Sequence, residues 1–147
     1  MTNYYVLPLF ELQKAIFQKL TACEVLTAIT RKDDEDLGVY DTVDENTPYP
    51  YVTIAEPRTE PYDTKTGNME TISFTIHCWW KDNDAYSGKR VIYEMLSACQ
   101  SALMAQSYPL QGARVLRVRR VDTRVFDDNT PHVKHGVLVM KYYVQNI

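Results

Sequence analysis

From Ile72 onward apolar and polar positions alternate. Ile72, Phe74, Ile76, Cys78 and Trp80 share one face; Thr71, Ser73, Thr75, His77 and Trp79 share the other. A period of two predicts a strand with one face buried and the second wet, or covered by something outside the fold. After the polar break Lys81-Asp82-Asn83-Asp84 the period turns helical, with Val91, Ile92, Met95, Leu96, Cys99 and Leu103 recurring at three- and four-residue intervals. The spacing predicts a helix from Ala85 to Met104, capped by Asp82, Asn83 or Asp84 and stopped at Ser107-Tyr108-Pro109. The apolar face of the strand and the stripe of the helix each need cover from water, and packing together supplies it.

The same periodicities organise the rest of the chain. Leu9, Leu12, Ile16 and Leu20, with Phe10, Ala15 and Phe17 beside them, predict a helix from about Pro8 to Ala22. Val25, Leu26 and Ile29 either extend it or form a short separate turn. Arg31 to Asp36 carries no apolar period and reads as a solvated loop. Gly38-Val39-Tyr40-Asp41 reads as a short strand, and Pro48-Tyr49-Pro50-Tyr51-Val52-Thr53-Ile54 as extended backbone entering another. Residues 56–68 read as a long exposed loop joining two antiparallel strands. Arg58, Glu60, Tyr62 and Lys65 on it are candidate partner contacts. In the strand Arg114 to Phe126, Val115, Leu116, Val118, Val121 and Val125 interleave with Arg114, Arg117, Arg119, Arg120 and Arg124, and the alternation slips at Arg119-Arg120, as a bulge requires. The last strand, His132 to Gln145, is apolar on both faces and predicts a central strand or one that meets another subunit. The expected fold is a single α+β domain over residues 1–147. It is a two-layer, mainly antiparallel four-stranded sheet with two helices on one face, in the order α-β-β-α-β-β.

Charge sharpens this picture. Residues 1–70 carry a net −7 and residues 71–147 a net +4, the polarity of a subunit that meets copies of itself through surfaces of opposite sign. Eleven tyrosines in 147 residues suit half-buried strands and favour subunit interfaces. Cys23, Cys78 and Cys99 lack metal-ligand spacing and read as reduced thiols, in keeping with a reducing compartment. The first residues lack a basic signal region, and no apolar run approaches the roughly 20 residues that span a bilayer, so neither secretion nor a membrane partner is expected.

Catalytic chemistry is hard to find. The 5 glycines form neither a G-x-G-x-x-G nor a phosphate-loop pattern, and no G-x-S-x-G elbow occurs. His132 and His135, three apart on a strand, point to opposite faces and cannot jointly grip a metal. His77 has no nucleophile or carboxylate near it in sequence, and an enzyme would need a polar pocket around it. The sequence therefore points away from an enzyme and implies neither cofactor nor metal. The sharpest polar feature is the arginine strand. Alternating arginines place several guanidinium groups on one sheet face, suited to carboxylate or phosphate. An intersubunit salt-bridge or solvated role is favoured over nucleic acid, because the whole chain is acidic, with a pI of about 5.6.

In order and length, these elements resemble the tail-completion family of long-tailed bacteriophages and prophages, also called tail terminators or head-to-tail joining proteins. The resemblance rests on the helix Leu9 to Leu20, Val39-Tyr40-Asp41, the run Pro48 to Ile54, the strand ending in Trp79-Trp80, the helix Ala85 to Met104 and the two closing strands. It implies a structural virion protein without catalytic residues that caps the tail tube as a ring, expected to be a hexamer. Such a ring ends tube growth and provides the joint to the head connector. The implied partners are further copies of the chain, the tail tube protein, the head connector protein and DNA passing through the ring channel. The implied location is the top of the tail, with the host cytoplasm during assembly. Trp79 and the five arginines are then candidates for the subunit interface or the channel lining. The rival expectation is a nucleic-acid-binding accessory protein that uses the Arg114–Arg124 strand.

Overall fold

The computed structural model describes residues 6–61, 69–105 and 107–146. Three helices, α1 (Leu9–Thr21), α2 (Glu24–Thr30) and α3 (Arg90–Leu103), accompany five strands. The strands are β1 (Val39–Tyr40), β2 (Tyr51–Pro61), β3 (Met69–Lys81), β4 (Ala113–Asp127) and β5 (Val133–Asn146). They form one mixed sheet in the order β1-β2-β3-β5-β4. The two hairpins, β2–β3 and β4–β5, are antiparallel and join through an antiparallel β3–β5 pair; β1 runs parallel to β2.

The expected four-stranded antiparallel sheet with two helices in the order α-β-β-α-β-β is therefore corrected. The order is α-α-β-β-β-α-β-β. Two local features account for the difference. β1, read from the sequence as a short strand but not counted in the sheet, joins it by pairing Val39 with Val52 in parallel. α2 breaks away from α1 at Cys23, whose extended backbone (φ −81°, ψ 103°) interrupts the helical ladder. Gly38 returns the chain from α2 to the sheet at φ +78°, where an added Cβ would lie 2.3 Å from the Thr30 carbonyl oxygen.

The core lies between the helices and one face of the sheet. Leu12, Ile16 and Leu20 of α1, Ile92, Met95 and Leu103 of α3, and Ile72, Phe74 and Ile76 of β3 are fully buried in one cluster with Leu138, Met140 and Tyr142 of β5. Burying side chains of this size contributes roughly 1.5–3 kcal/mol each. Phe10 and Phe17, which the α1 pattern placed beside the stripe, face outward at 73% and 42% exposure. Gly136 lets α3 approach β5 closely, since a Cβ there would meet Leu96 Cδ1 at 2.9 Å and Ile92 Cγ1 at 3.1 Å. The Tyr142 hydroxyl lies 3.1 Å from that of Tyr108, which donates to the Leu103 carbonyl at the end of α3. An otherwise orphaned helix carbonyl and two buried phenols are thereby satisfied together. Burial pushes the Tyr108 phenol up to about 12.

α3 begins five residues later than its sequence signal. Asp82 and Asn83 do not cap it; they fold the chain ahead of it instead. Asn83 Oδ1 accepts from the Ala85 and Tyr86 N–H groups at 2.9 Å, and the Asp82 carboxylate accepts from Gly88 N–H at 3.1 Å and the Ser87 hydroxyl at 3.2 Å. Extended pairing also reaches further than expected. Residues 56–61, read as loop, belong to β2, with a bulge between Ala55 and Arg58 and Glu56 at φ +53°. Residues 62–68 lie outside the described residues.

Candidate assembly surface

Among the described residues no helix covers the other face of the sheet, and the strand registers lay its side chains out in rows. At one end Tyr51, Trp79, His135 and Phe126 lie side by side across β2, β3, β5 and β4. The next row is Thr53, His77, Val137 and Arg124. Beyond the bulge come Arg58, Ser73, Lys141 and Arg119, then Glu60, Thr71, Tyr143 and Arg117. The face thus grades from aromatic to charged. Its charged half forms a groove of about 580 Å³, with Arg58 and Glu60 on one wall and Arg119 and Val121 on the other.

The arginine strand divides between the two faces. Arg114, Arg117, Arg119 and Arg124 are in register with outer-face residues of β5, whereas Arg120 pairs with Met140 on the helix side and donates to Gln100 of α3 at 3.0 Å. Two bulges, one between Val115 and Arg117 and one between Arg120 and Asp122, cause the split. Each shifts the alternation by one residue. On the outer face Arg124 pairs with Asp122 at 3.0 Å, Arg114 donates to Gln145 at 3.0 Å, and Arg117 lies over the Tyr143 ring. The Arg119 guanidinium has no hydrogen bond or ion pair among the described residues. Of the candidate loop contacts, Arg58 and Glu60 pair with each other at 2.9 Å on β2, and Tyr62 and Lys65 lie outside the described residues.

At the aromatic end the structure joins residues that the sequence kept apart. Trp79 stacks on His135 with ring centroids 3.7 Å apart, and Phe126 meets the same imidazole edge-on at 4.6 Å. His77 Nδ1 lies 2.7 Å from His135 Nε2, and His77 Nε2 lies 2.7 Å from Glu56 Oε1. The bulge at Glu56 brings in the carboxylate that His77 lacked in sequence. With both rings neutral, Glu56 accepts from His77 Nε2–H and His77 Nδ1 accepts from His135 Nε2–H. His135 Nδ1 is then bare, buried without a hydrogen-bond partner and 4.0 Å from Asp128 Oδ1. Burial, with the His77 charge second, lowers the His135 pKa to about 4. His135 is only 7% exposed, because rings from β3 and β4 close over it. No period-two pattern could reveal this, since the covering groups come from other strands.

Among the described residues no cluster of three or more His, Cys, Asp or Glu side chains could hold a metal ion. Cys78 and Cys99 are buried thiols with sulfurs 3.8 Å apart, and Cys23 is partly exposed. No helix among the described residues is long and apolar enough to cross a membrane. The surface offers salt-bridging cations, ring faces and open strand edges, a chemistry of contact.

Known proteins share both sequence and fold. The pattern of the family described as tail completion protein gp17 matches residues 14–145. Tail completion protein gp17 of Bacillus phage SPP1 is 25% identical over 135 residues, 92% of each chain. A chain from the virion of a native gene transfer agent (GTA) particle superposes with a TM-score of 0.82 at 20% identity, covering 97% of this chain and 100% of that one. The solved structure of bacteriophage SPP1 gp17 gives a TM-score of 0.60 at 21% identity, covering 99% and 96%. With the family pattern matched across nearly its whole length, the chain belongs to the tail completion protein gp17 family, structural phage tail proteins rather than enzymes.

Proposed function

We propose that this protein closes the end of a phage tail tube as a homo-oligomeric ring, a hexamer. The ring ends tube growth and gives the head connector a surface to join. The observation that carries this reading is the family match over residues 14–145. The fold supports it: among the described residues a helix-backed sheet leaves one broad face without helices and ends in the edge strands β1 and β4. In the ring, the arginines of β4 meet the neighbouring copy, and the rest of the outer face, with Arg58 and Lys141, meets the tail tube protein, the connector or the channel through which DNA passes. The protein assembles in the host cytoplasm and ends at the top of the tail in the virion.

The test is the solution mass, by light scattering, with and without tail tube protein. A ring-sized species, alone or on the tube, is the expected result. A monomer that ignores tube protein would overturn the reading. If that monomer also bound DNA with steep salt dependence, the function would pass to nucleic-acid binding through the Arg114–Arg124 strand. The outer face carries Glu56, Glu60 and Asp122 among its cations, which weakens it as a polyanion track.

A further inference from the structure

The two edges of the sheet are unlike each other and complementary. β4 forms one edge, so a 15-residue strand has partners on one side only. Its two bulges each insert one residue without a partner in β5, Leu116 and Val121, and both are apolar and about half exposed. Phe126, at 40% exposure, adds a third apolar contact on this strand. An exposed apolar strand edge invites pairing with another chain, and five arginines against two aspartates in residues 113–127 set the sign of whatever approaches.

The opposite edge carries the converse features. β1 and its flanking segments, residues 31–47, hold seven acidic residues against two basic. Beside β1 an apolar groove of about 350 Å³ is lined by Phe10 and Phe17 of α1 with Tyr40 and Asp41. Both phenylalanines are exposed, outside the core. Opposite charge and exposed apolar surface therefore coincide at the two ends of one sheet. A contact between unlike surfaces of identical chains runs head to tail and closes into a ring when the rotation permits.

We infer that the basic β4 edge of one copy docks on the acidic β1–α1 edge of the next, with the bulged Leu116, which lies beside Met104 on the helix side, meeting the Phe10–Phe17 groove. This rests on the ring reading above and names the surfaces from which the ring is built.

The experiment compares four samples by light scattering, alone and with tail tube protein. They are the wild type, a basic-edge reversal (Arg117→Glu with Arg119→Glu), an acidic-edge reversal (Asp41→Lys with Glu45→Lys) and an equal mixture of the two reversals. All four substituted side chains are at the surface, and circular dichroism confirms folding. Each reversal alone is expected to lose at least nine-tenths of the ring. The mixture is expected to regain it, because an even-membered ring of alternating copies has opposite charge at every contact. Reversals that assemble as the wild type does, or a mixture that fails to recover, would sink the edge assignment and leave the ring standing. Reversals that form rings but release the tube would assign these edges to the tube protein instead, and overturn the inference. A wild type that forms no ring would end both readings.

Discussion

The two faces of β3 differ in how they stay dry. On the helix side Ile72, Phe74, Ile76 and Cys78 are fully buried against α1, α3 and β5, and an alternating sequence is all that this requires. On the other side Thr71, Thr75 and the neighbouring His135 are also more than nine-tenths buried, with no helix above them. For His135 the cover is lateral: Trp79 and Phe126, on adjacent strands, lean across the pleat over its ring. One face is dry by layer packing and tolerates no loss of volume. The other is dry by neighbouring side chains, holds polar groups and can exchange its cover for a partner. A protein that works by docking needs both faces, the first for rigidity and the second for contact.

The comparison can be broken most forcefully from the packed face. Phe74→Ala removes a fully buried ring and should cost about 3–5 kcal/mol in urea unfolding; a loss under about 1 kcal/mol would mean that the helix layer is not what holds the sheet. The second effect belongs to the outer face and depends on pH. An unfolded imidazole takes up its proton near 6.5, whereas His135 does so only near 4 under the burial and charges set by His77, Glu56, Asp128 and Arg124. The unfolded chain therefore binds more protons between these values, and stability falls as pH drops from about 6.5 toward 4, by on the order of 3 kcal/mol at most. Denaturation midpoints across that window should decline in the wild type and flatten in His135→Gln; parallel declines would refute the assignment to His135.

Two smaller effects sharpen the contrast. Gly136→Ala pushes a methyl against Leu96 and should cost about 1–3 kcal/mol, measured by thermal unfolding, since α3 must shift or Leu96 must change rotamer. Arg119→Ala should change stability by less than about 0.5 kcal/mol, because its guanidinium ties no described element to another. Its effect should appear instead in the fraction of protein that forms a ring, measured by light scattering. A stability loss above 1 kcal/mol for Arg119→Ala would make the outer face structural.

Much of this was legible in the chain. α1, β3 and β5 fall where their periods place them, because each buries one continuous stripe and burial writes its period into the sequence. The slip predicted at Arg119-Arg120 corresponds to the second β4 bulge; the first, at Leu116, is written in the adjacent apolar pair Val115-Leu116, which the reading of the strand passed over. Four of the five arginines share the face that alternation suggested, and Arg120 does not, because two bulges intervene before the strand ends. The early start expected for α3 failed for a different reason. Asp82 and Asn83 are good caps, but the N–H groups they accept from belong to the loop ahead of the helix.

By itself the sequence determined which residues would be buried by layers, and the family pattern that names the protein's class. Both are written locally, as period and as order. Tertiary structure alone decided that the short strand β1 would pair in parallel at the edge of the sheet, that Glu56, His77 and His135 would form one chain of hydrogen bonds, and that acidic and basic segments would lie at opposite edges of one sheet. Strand order and register bring together residues tens of positions apart, and an alternating pattern fixes which face a residue takes without fixing which strand lies beside it.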